Sequence, residues 1–329
     1  MLNFFLSTVA VLMAGAAFLT PAQSAGLPKG AAHNIVLVHG AFVDQTSWKP
    51  VADILTKKGY NVTLVENPLT SLAADVDATK QALAKQNGKT VLVGHSWGGV
   101  VITEAGSDPK ITALVYVSAF APDVGQSLAT LAKSGPATDG SAAIHPDDKG
   151  NLYIDPKVFP SAVAADLPPQ IAESLAKHQL PLSDKAFEAP VDTAAWRDKP
   201  TFYVITTKDR VIAPEAQKFF ADRMKAQITD VAGSHASLVV HAREVAEVFA
   251  PGERPIGTSG TTGSRMSKAA VQKLQGGEFL RIVINDASGR YLIHLPTANY
   301  SAPLPQPQTP SRVEVPPPAV EVPQSKEPQ

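Results

Sequence analysis

Cysteine is absent from all 329 residues of the chain. That excludes disulfides, a thiolate zinc site, a cysteine nucleophile and lipid attachment through an N-terminal cysteine. An excess of charge of one sign is also missing. Lys and Arg number 29 against 30 Asp and Glu, a formal net charge of −1, which argues against a nucleic-acid partner. No His/Asp/Glu cluster has metal-ligand spacing, and the Gly/Ser/Thr stretch at residues 257–263 lacks the lysine and flanking strand of a phosphate-binding loop. The chain is therefore expected to work without a metal or cofactor. Beyond the N-terminal segment, no apolar run is long enough to span a bilayer.

That N-terminal segment is the exception. Residues 4–19 are apolar, and Pro21, Ala22, Gln23, Ser24 and Ala25 follow, with Ala22 and Ser24 forming a small-x-small pair suited to cleavage. Residues 1–25 read as a secretory signal peptide, although no Lys or Arg precedes the apolar run. The competing reading, a membrane anchor, meets a run short for a full span and no closely following stop-transfer charges. The expectation is an exported protein, periplasmic or secreted, with no stable membrane insertion after cleavage.

From about residue 34 to 250, strand-like and helix-like stretches alternate, the signature of a parallel sheet covered by helices on both faces. Strands are expected at 34–39, 60–65, 90–93, 111–118, 201–206 and 227–231, and helices at 48–58, 72–86, 100–105, 214–224 and 241–249. Residues 120–199 break this rhythm. They are rich in Ala, Pro, Asp and Ser, carry a helical piece at 171–178, and read as a small cap over the carboxyl ends of the strands. The expected organisation is a domain over 26–252 that includes this cap, a linker at 253–275, a β-hairpin at 276–295 and a Pro-rich, disordered tail at 296–329.

The segment Val91-Leu-Val-Gly-His-Ser-Trp-Gly-Gly-Val100 carries the chemistry. Gly94-His95-Ser96-Trp97-Gly98 matches G-x-S-x-G between a strand and a helix, the setting in which a strained serine is pushed out of the top of a sheet. A serine hydroxyl is a poor nucleophile without a histidine base, an orienting carboxylate and donors for an oxyanion. In chain order after Ser96, the acid is expected at Asp209, in the loop beyond the strand 201–206, with Asp230 and Asp123 as rivals. The base is expected at His235, after the last strand, with His241 as the alternative. His39 and His95 flank glycines and read as structural, while His33, His145, His178 and His294 read as surface or local packing residues. The oxyanion donors are expected at the backbone amides of Trp97 and Ala41, with Phe42 second to Ala41.

His39-Gly-Ala-Phe42 with Trp48, Gly94-His-Ser-Trp-Gly-Gly99, Thr206-Thr-Lys-Asp-Arg210 with Pro214 and Gln217, and Gly233-Ser-His235 together resemble the α/β-hydrolase superfamily. More narrowly they resemble its compact branch of plant methylesterases, hydroxynitrile lyases and bacterial esterase-like proteins. The resemblance spans about residues 34–250. It implies an α/β-hydrolase fold, mostly parallel, with a small cap and here a C-terminal extension. It also implies a Ser96–Asp209–His235 triad with an Ala41/Trp97 oxyanion hole, acting on a small-molecule ester. Hydroxynitrile lyases of this branch carry a threonine after the first histidine and a lysine after the catalytic one; here Gly40 and Ala236 stand there. The expected activity is hydrolysis of small carboxylic esters through an acyl-enzyme. The alternatives are lactone or amide cleavage, perhydrolysis or a lyase step with the same triad, or ligand binding without catalysis.

Overall fold

The computed structural model describes residues 32–249 and, beyond them, strands at 269–273, 279–286 and 289–296. The segment read as a signal peptide, most of the linker and the Pro-rich tail lie outside the described residues.

β1 (Asn34–Val38) leads through a 3-10 turn (Gln45–Trp48) into α1 (Lys49–Lys57). β2 (Asn61–Val65), α2 (Leu72–Ala84), β3 (Thr90–His95), α3 (Gly98–Ala105) and β4 (Ile111–Val117) continue the alternation. An insertion follows, carrying α4 (Leu128–Ser134), α5 (Asp139–Ala142), β5 (Ile144–Pro146), β6 (Asn151–Ile154), α6 (Phe159–Ala162), α7 (Pro169–Lys177), β7 (Leu182–Ser183) and α8 (Asp184–Glu188). The main alternation resumes with β8 (Thr201–Thr206), α9 (Pro214–Arg223) and β9 (Gln227–Val231), then α10 (Ser237–Val240) and α11 (Ala242–Phe249). β10 (Ala269–Lys273), β11 (Phe279–Asp286) and β12 (Gly289–Pro296) form a separate antiparallel sheet in that order.

The main sheet runs β2-β1-β3-β4-β8-β9, and each pairing in it is parallel. Both faces are covered, so its inner strands read as unbroken apolar runs while still alternating in direction. Ile35 and Leu37, Val91 and Val93, Val115 and Val117, and Val204 pack with Trp48, Val51 and Leu55 of the β1–α1 region and with Leu238, Val245 and Ala246 near the end of the domain. The alternate positions, Val36 and Val38, Leu92, Leu114 and Tyr116, Tyr203 and Ile205, face the other way. There they join the core built with α2, α3, α9 and the insertion. Short local signals set the helix starts: Ser71 caps α2 by accepting from the Ala74 amide at 3.1 Å, and Pro214 opens α9.

Apart from shifts of one or two residues at element ends, three features differ from the sequence reading. The insertion contains a small antiparallel sheet, β5-β6-β7, that hydrophobic periodicity does not reveal. Its strands are two to four residues long, too short for an alternation to register, and the β5–β6 turn is made by Asp147, whose carboxylate accepts from the Lys149 and Asn151 amides. The last helical stretch is broken at His241 into α10 and α11 and begins earlier than residue 241. The stretch expected to be linker carries β10 near its end, which pairs with β11 from Ala269↔Ile284 to Lys273↔Leu280.

Leu92 sits fully buried on a central strand. Leu92→Ala is expected to lower unfolding free energy by about 2–5 kcal/mol, seen as a lower urea midpoint with an unchanged slope. A loss under about 1 kcal/mol would mean the site collapses around the void.

Candidate active site

Ser96 follows the last residue of β3 at the turn into α3, with φ at +53°. A non-glycine residue there carries strain of order 1–3 kcal/mol and persists only where its surroundings over-determine it. The surroundings do so. The Ser96 amide donates to the Val117 carbonyl at 3.2 Å, and its own carbonyl accepts from Gly99 at 3.0 Å and Phe120 at 3.2 Å. The turn is also too tight for side chains on either flank. A Cβ on Gly94 would lie 2.4 Å from the Gly98 carbonyl oxygen, and one on Gly98 would lie 2.5 Å from that of Val38.

β8 leads into the loop that carries the candidate acid. Asp209 is nearly fully buried in the loop after Thr206. Its Oδ1 accepts from the Val211 amide at 2.8 Å and the Ile212 amide at 3.0 Å. Its Oδ2 lies 2.9 Å from Thr206 Oγ1, 2.9 Å from Gln217 Nε2 and 2.8 Å from His235 Nδ1. The Oδ2 contact makes Nδ1 the protonated, donating nitrogen, so a neutral His235 ring carries its lone pair on Nε2. Gln217 on α9 is fully buried and also accepts the Thr206 amide at 3.0 Å, which fixes the acid loop to its helix.

The rival acids stand elsewhere. Asp230 is exposed on edge strand β9, and Asp123 pairs with Arg197 at 2.6 Å. His241, the rival base, is bonded through Nδ1 to Glu244 Oε2 at 2.6 Å. That bond raises its pKa above the usual histidine value.

Two histidines that read as structural bear directly on this geometry. His95 Nε2 donates to the His235 carbonyl at 3.0 Å, and the two rings are 4.8 Å apart. Burial pushes the His95 pKa well below its usual value, so the ring is neutral. No periodicity could have shown this, because the bond joins residues 140 apart in sequence. His39, also buried, donates from Nδ1 to the Gly40 carbonyl at 2.8 Å and accepts the Asn67 amide on Nε2 at 2.9 Å. In a trans peptide the C=O and N–H point in opposite directions, so fixing the Gly40 carbonyl also fixes the direction of the Ala41 N–H. The Phe42 amide is engaged by the Leu180 carbonyl at 3.0 Å.

Ala41, Ser96 and Trp97 line one cavity of about 700 Å³, counting its open mouth. Its walls are apolar, with Phe42, Phe120, Leu131, Phe187, Ile212 and Phe220 prominent, and much of the lining comes from the insertion. None of the lining side chains is charged. Apart from Ser96, the one polar side chain is Ser141, whose hydroxyl is bonded to the Thr138 backbone.

Behind the elbow, the Trp97 indole donates to Asp75 Oδ2 at 2.7 Å, and the Leu69 amide donates to Oδ1 at 2.8 Å. Asp75 is fully buried on α2, and desolvation outweighs these bonds, raising its pKa from the usual 3.8 to about 6. A raised carboxylate binds protons in the folded state that the unfolded chain has already released. Its contribution to stability is therefore complete below about pH 3.8 and is lost as pH rises through about 6, a change of about 3 kcal/mol. Asp75→Asn removes this titration. From pH 4 to pH 7.5, unfolding free energies should shift in favour of the variant by about 2–3 kcal/mol. A difference between variant and wild type that stays constant with pH would contradict the assignment.

Comparison with known proteins bears on the family and the fold. Residues 35–248 match the model of the alpha/beta hydrolase family. A protein named probable hydrolase R7, from a Phoma species, is 30% identical over 207 residues, spanning 58% of this chain and 83% of that one. The carbendazim hydrolyzing esterase of a Nocardioides species is 34% identical over 112 residues, 30% of this chain and 46% of that one. Among solved structures, polyneuridine aldehyde esterase superposes with a TM-score of 0.58 at 20% identity, covering 67% of this chain and 98% of that chain. A pyrethroid hydrolase from Sphingobium faniae superposes with a TM-score of 0.57 at 22% identity, covering 66% and 95%.

Proposed function

The chain belongs to the α/β-hydrolase family, and from that premise we propose that it is a serine hydrolase cleaving small, uncharged carboxylic esters through an acyl-enzyme. The observation that carries this reading is the 2.8 Å bond between His235 Nδ1 and Asp209 Oδ2, two buried groups 26 residues apart. It leaves the other ring nitrogen free to act as a base. Ser96 Oγ attacks the ester carbonyl as His235 Nε2 takes its proton. Asp209 holds the tautomer and stabilises the imidazolium. The Ala41 and Trp97 amides receive the oxyanion. The tetrahedral intermediate collapses with loss of the alkoxide, which His235 protonates. Water activated by the same ring then releases the acid.

Gly40 favours hydrolysis over the lyase alternative. A Cβ there would lie 2.8 Å from Ser96 Cβ, so a threonine at 40 would crowd the nucleophile. The likeness to a carbendazim hydrolyzing esterase and to polyneuridine aldehyde esterase supports ester cleavage as the reaction class. Export directed by residues 1–25 is part of the same proposal.

The test is a panel of p-nitrophenyl acetate, butyrate and octanoate, with a lactone and an anilide, beside Ser96→Ala. Ester turnover in the mature protein should fall by roughly 10³-fold or more in the variant. Turnover within a few-fold of wild type in Ser96→Ala would end this reading. A wild type that cleaves the lactone or anilide but no ester would move the assignment to that bond class.

A further inference from the structure

The loop carrying His235 is tied on three sides. The acid loop holds it through the Lys208 amide, which donates to the Gly233 carbonyl at 3.1 Å. β3 holds it through His95, which donates to the His235 carbonyl at 3.0 Å. The third tie comes from the insertion, between α6 and α7. The Ala236 amide donates to the Val163 carbonyl at 2.8 Å. The Ser234 amide donates to Asp166 Oδ2 at 2.7 Å. The Ser234 hydroxyl bonds to Asp166 Oδ1 and lies 3.1 Å from the Val163 carbonyl.

The chain neighbours of His235 on both sides are thus held by one short piece of the insertion. A carboxylate suits the place. It accepts an N–H on one oxygen and an O–H on the other while presenting no donor of its own. Bonds to an ionised acceptor are also shorter and stronger than neutral ones. His241 stands beside it, with Nε2 3.8 Å from Asp166 Oδ2 and its other nitrogen committed to Glu244.

We infer that Asp166 is a positioning residue for His235: it fixes Ser234 and so aims the imidazole, making placement of the base depend on the docked insertion. This rests on His235 being the general base. The contact acts through the backbone and does not touch the substrate, so its loss should be felt in turnover rather than in binding. A misplacement of about 1 Å in a catalytic group can cost on the order of 10² in rate.

The test uses Asp166→Ala, Asp166→Asn and Ser234→Ala in the full mature chain. Amide hydrogen exchange is followed across residues 232–240, beside kcat and KM for p-nitrophenyl butyrate. In Asp166→Ala the Ser234 and Ala236 amides should exchange at least ~10-fold faster, and kcat should fall by ~10–100-fold with KM within ~3-fold. Asp166→Asn, which keeps one acceptor, should fall between. If Asp166→Ala does not fold, Ser234→Ala carries the test with a smaller loss, ~3–10-fold in kcat. Faster exchange with unchanged kcat overturns the inference and leaves Asp166 a purely structural tie. Unchanged exchange overturns it as well, whatever the kinetics. A wild type without ester turnover refutes the proposed function instead, and the exchange data then decide alone whether Asp166 holds the loop.

Discussion

The backbone at Ser96 lies at φ +53°, a conformation that a serine adopts only under compulsion. Parallel sheet geometry supplies the compulsion. β3 is central, flanked by β1 and β4, and its last peptide groups are already fixed by both neighbours. The chain must then leave the sheet and start α3 within a residue or two, where Gly94 and Gly98 let the two elements touch. Ala41, Ser96 and Trp97 then line one cavity around that raised side chain. Relaxing the turn would lower the strain and at the same time withdraw the hydroxyl from the cavity.

Two buried carboxylates show how differently the protein treats charge around this turn. Asp209 is surrounded by five donors, from two amides, a hydroxyl, a carboxamide and an imidazole. Asp75 has two, and burial dominates its titration. The first arrangement fixes the carboxylate in place and turns one oxygen toward His235 Nδ1. The second leaves a carboxyl whose charge is expensive at neutral pH, held against the indole of the residue that follows the nucleophile.

The sequence made the sheet and its strained serine turn legible for physical reasons. Runs such as Ile35–Val38 and Val91–Val93 are apolar without interruption because both faces of their strands are covered, and the G-x-S-x-G pattern is dictated by local sterics. Asp209 and His235 could be named as candidates because chain order and strand ends constrain them, and the structure brings the two side chains together. What escaped was long-range and polar. His95 looked like a structural neighbour of glycines, yet it supports the His235 carbonyl. Gln217 stood in a motif without a role, and Asp75 and Asp166 are ordinary letters in a helix and a loop; only the folded chain brings them to Asp209, Trp97 and Ser234. The cap sheet escaped because strands of two to four residues leave no periodic trace.

The central claim is that the strained serine is an activated nucleophile served by the His235–Asp209 pair. The most direct measurement is labelling of the folded protein with a fluorophosphonate, with the modified residue located by peptide mass spectrometry and the rate compared with that of Asp209→Asn. The account predicts one adduct, on Ser96, formed at least ~10³-fold more slowly in Asp209→Asn. An unlabelled wild type, an adduct on another serine, or equal rates in the two proteins would contradict it.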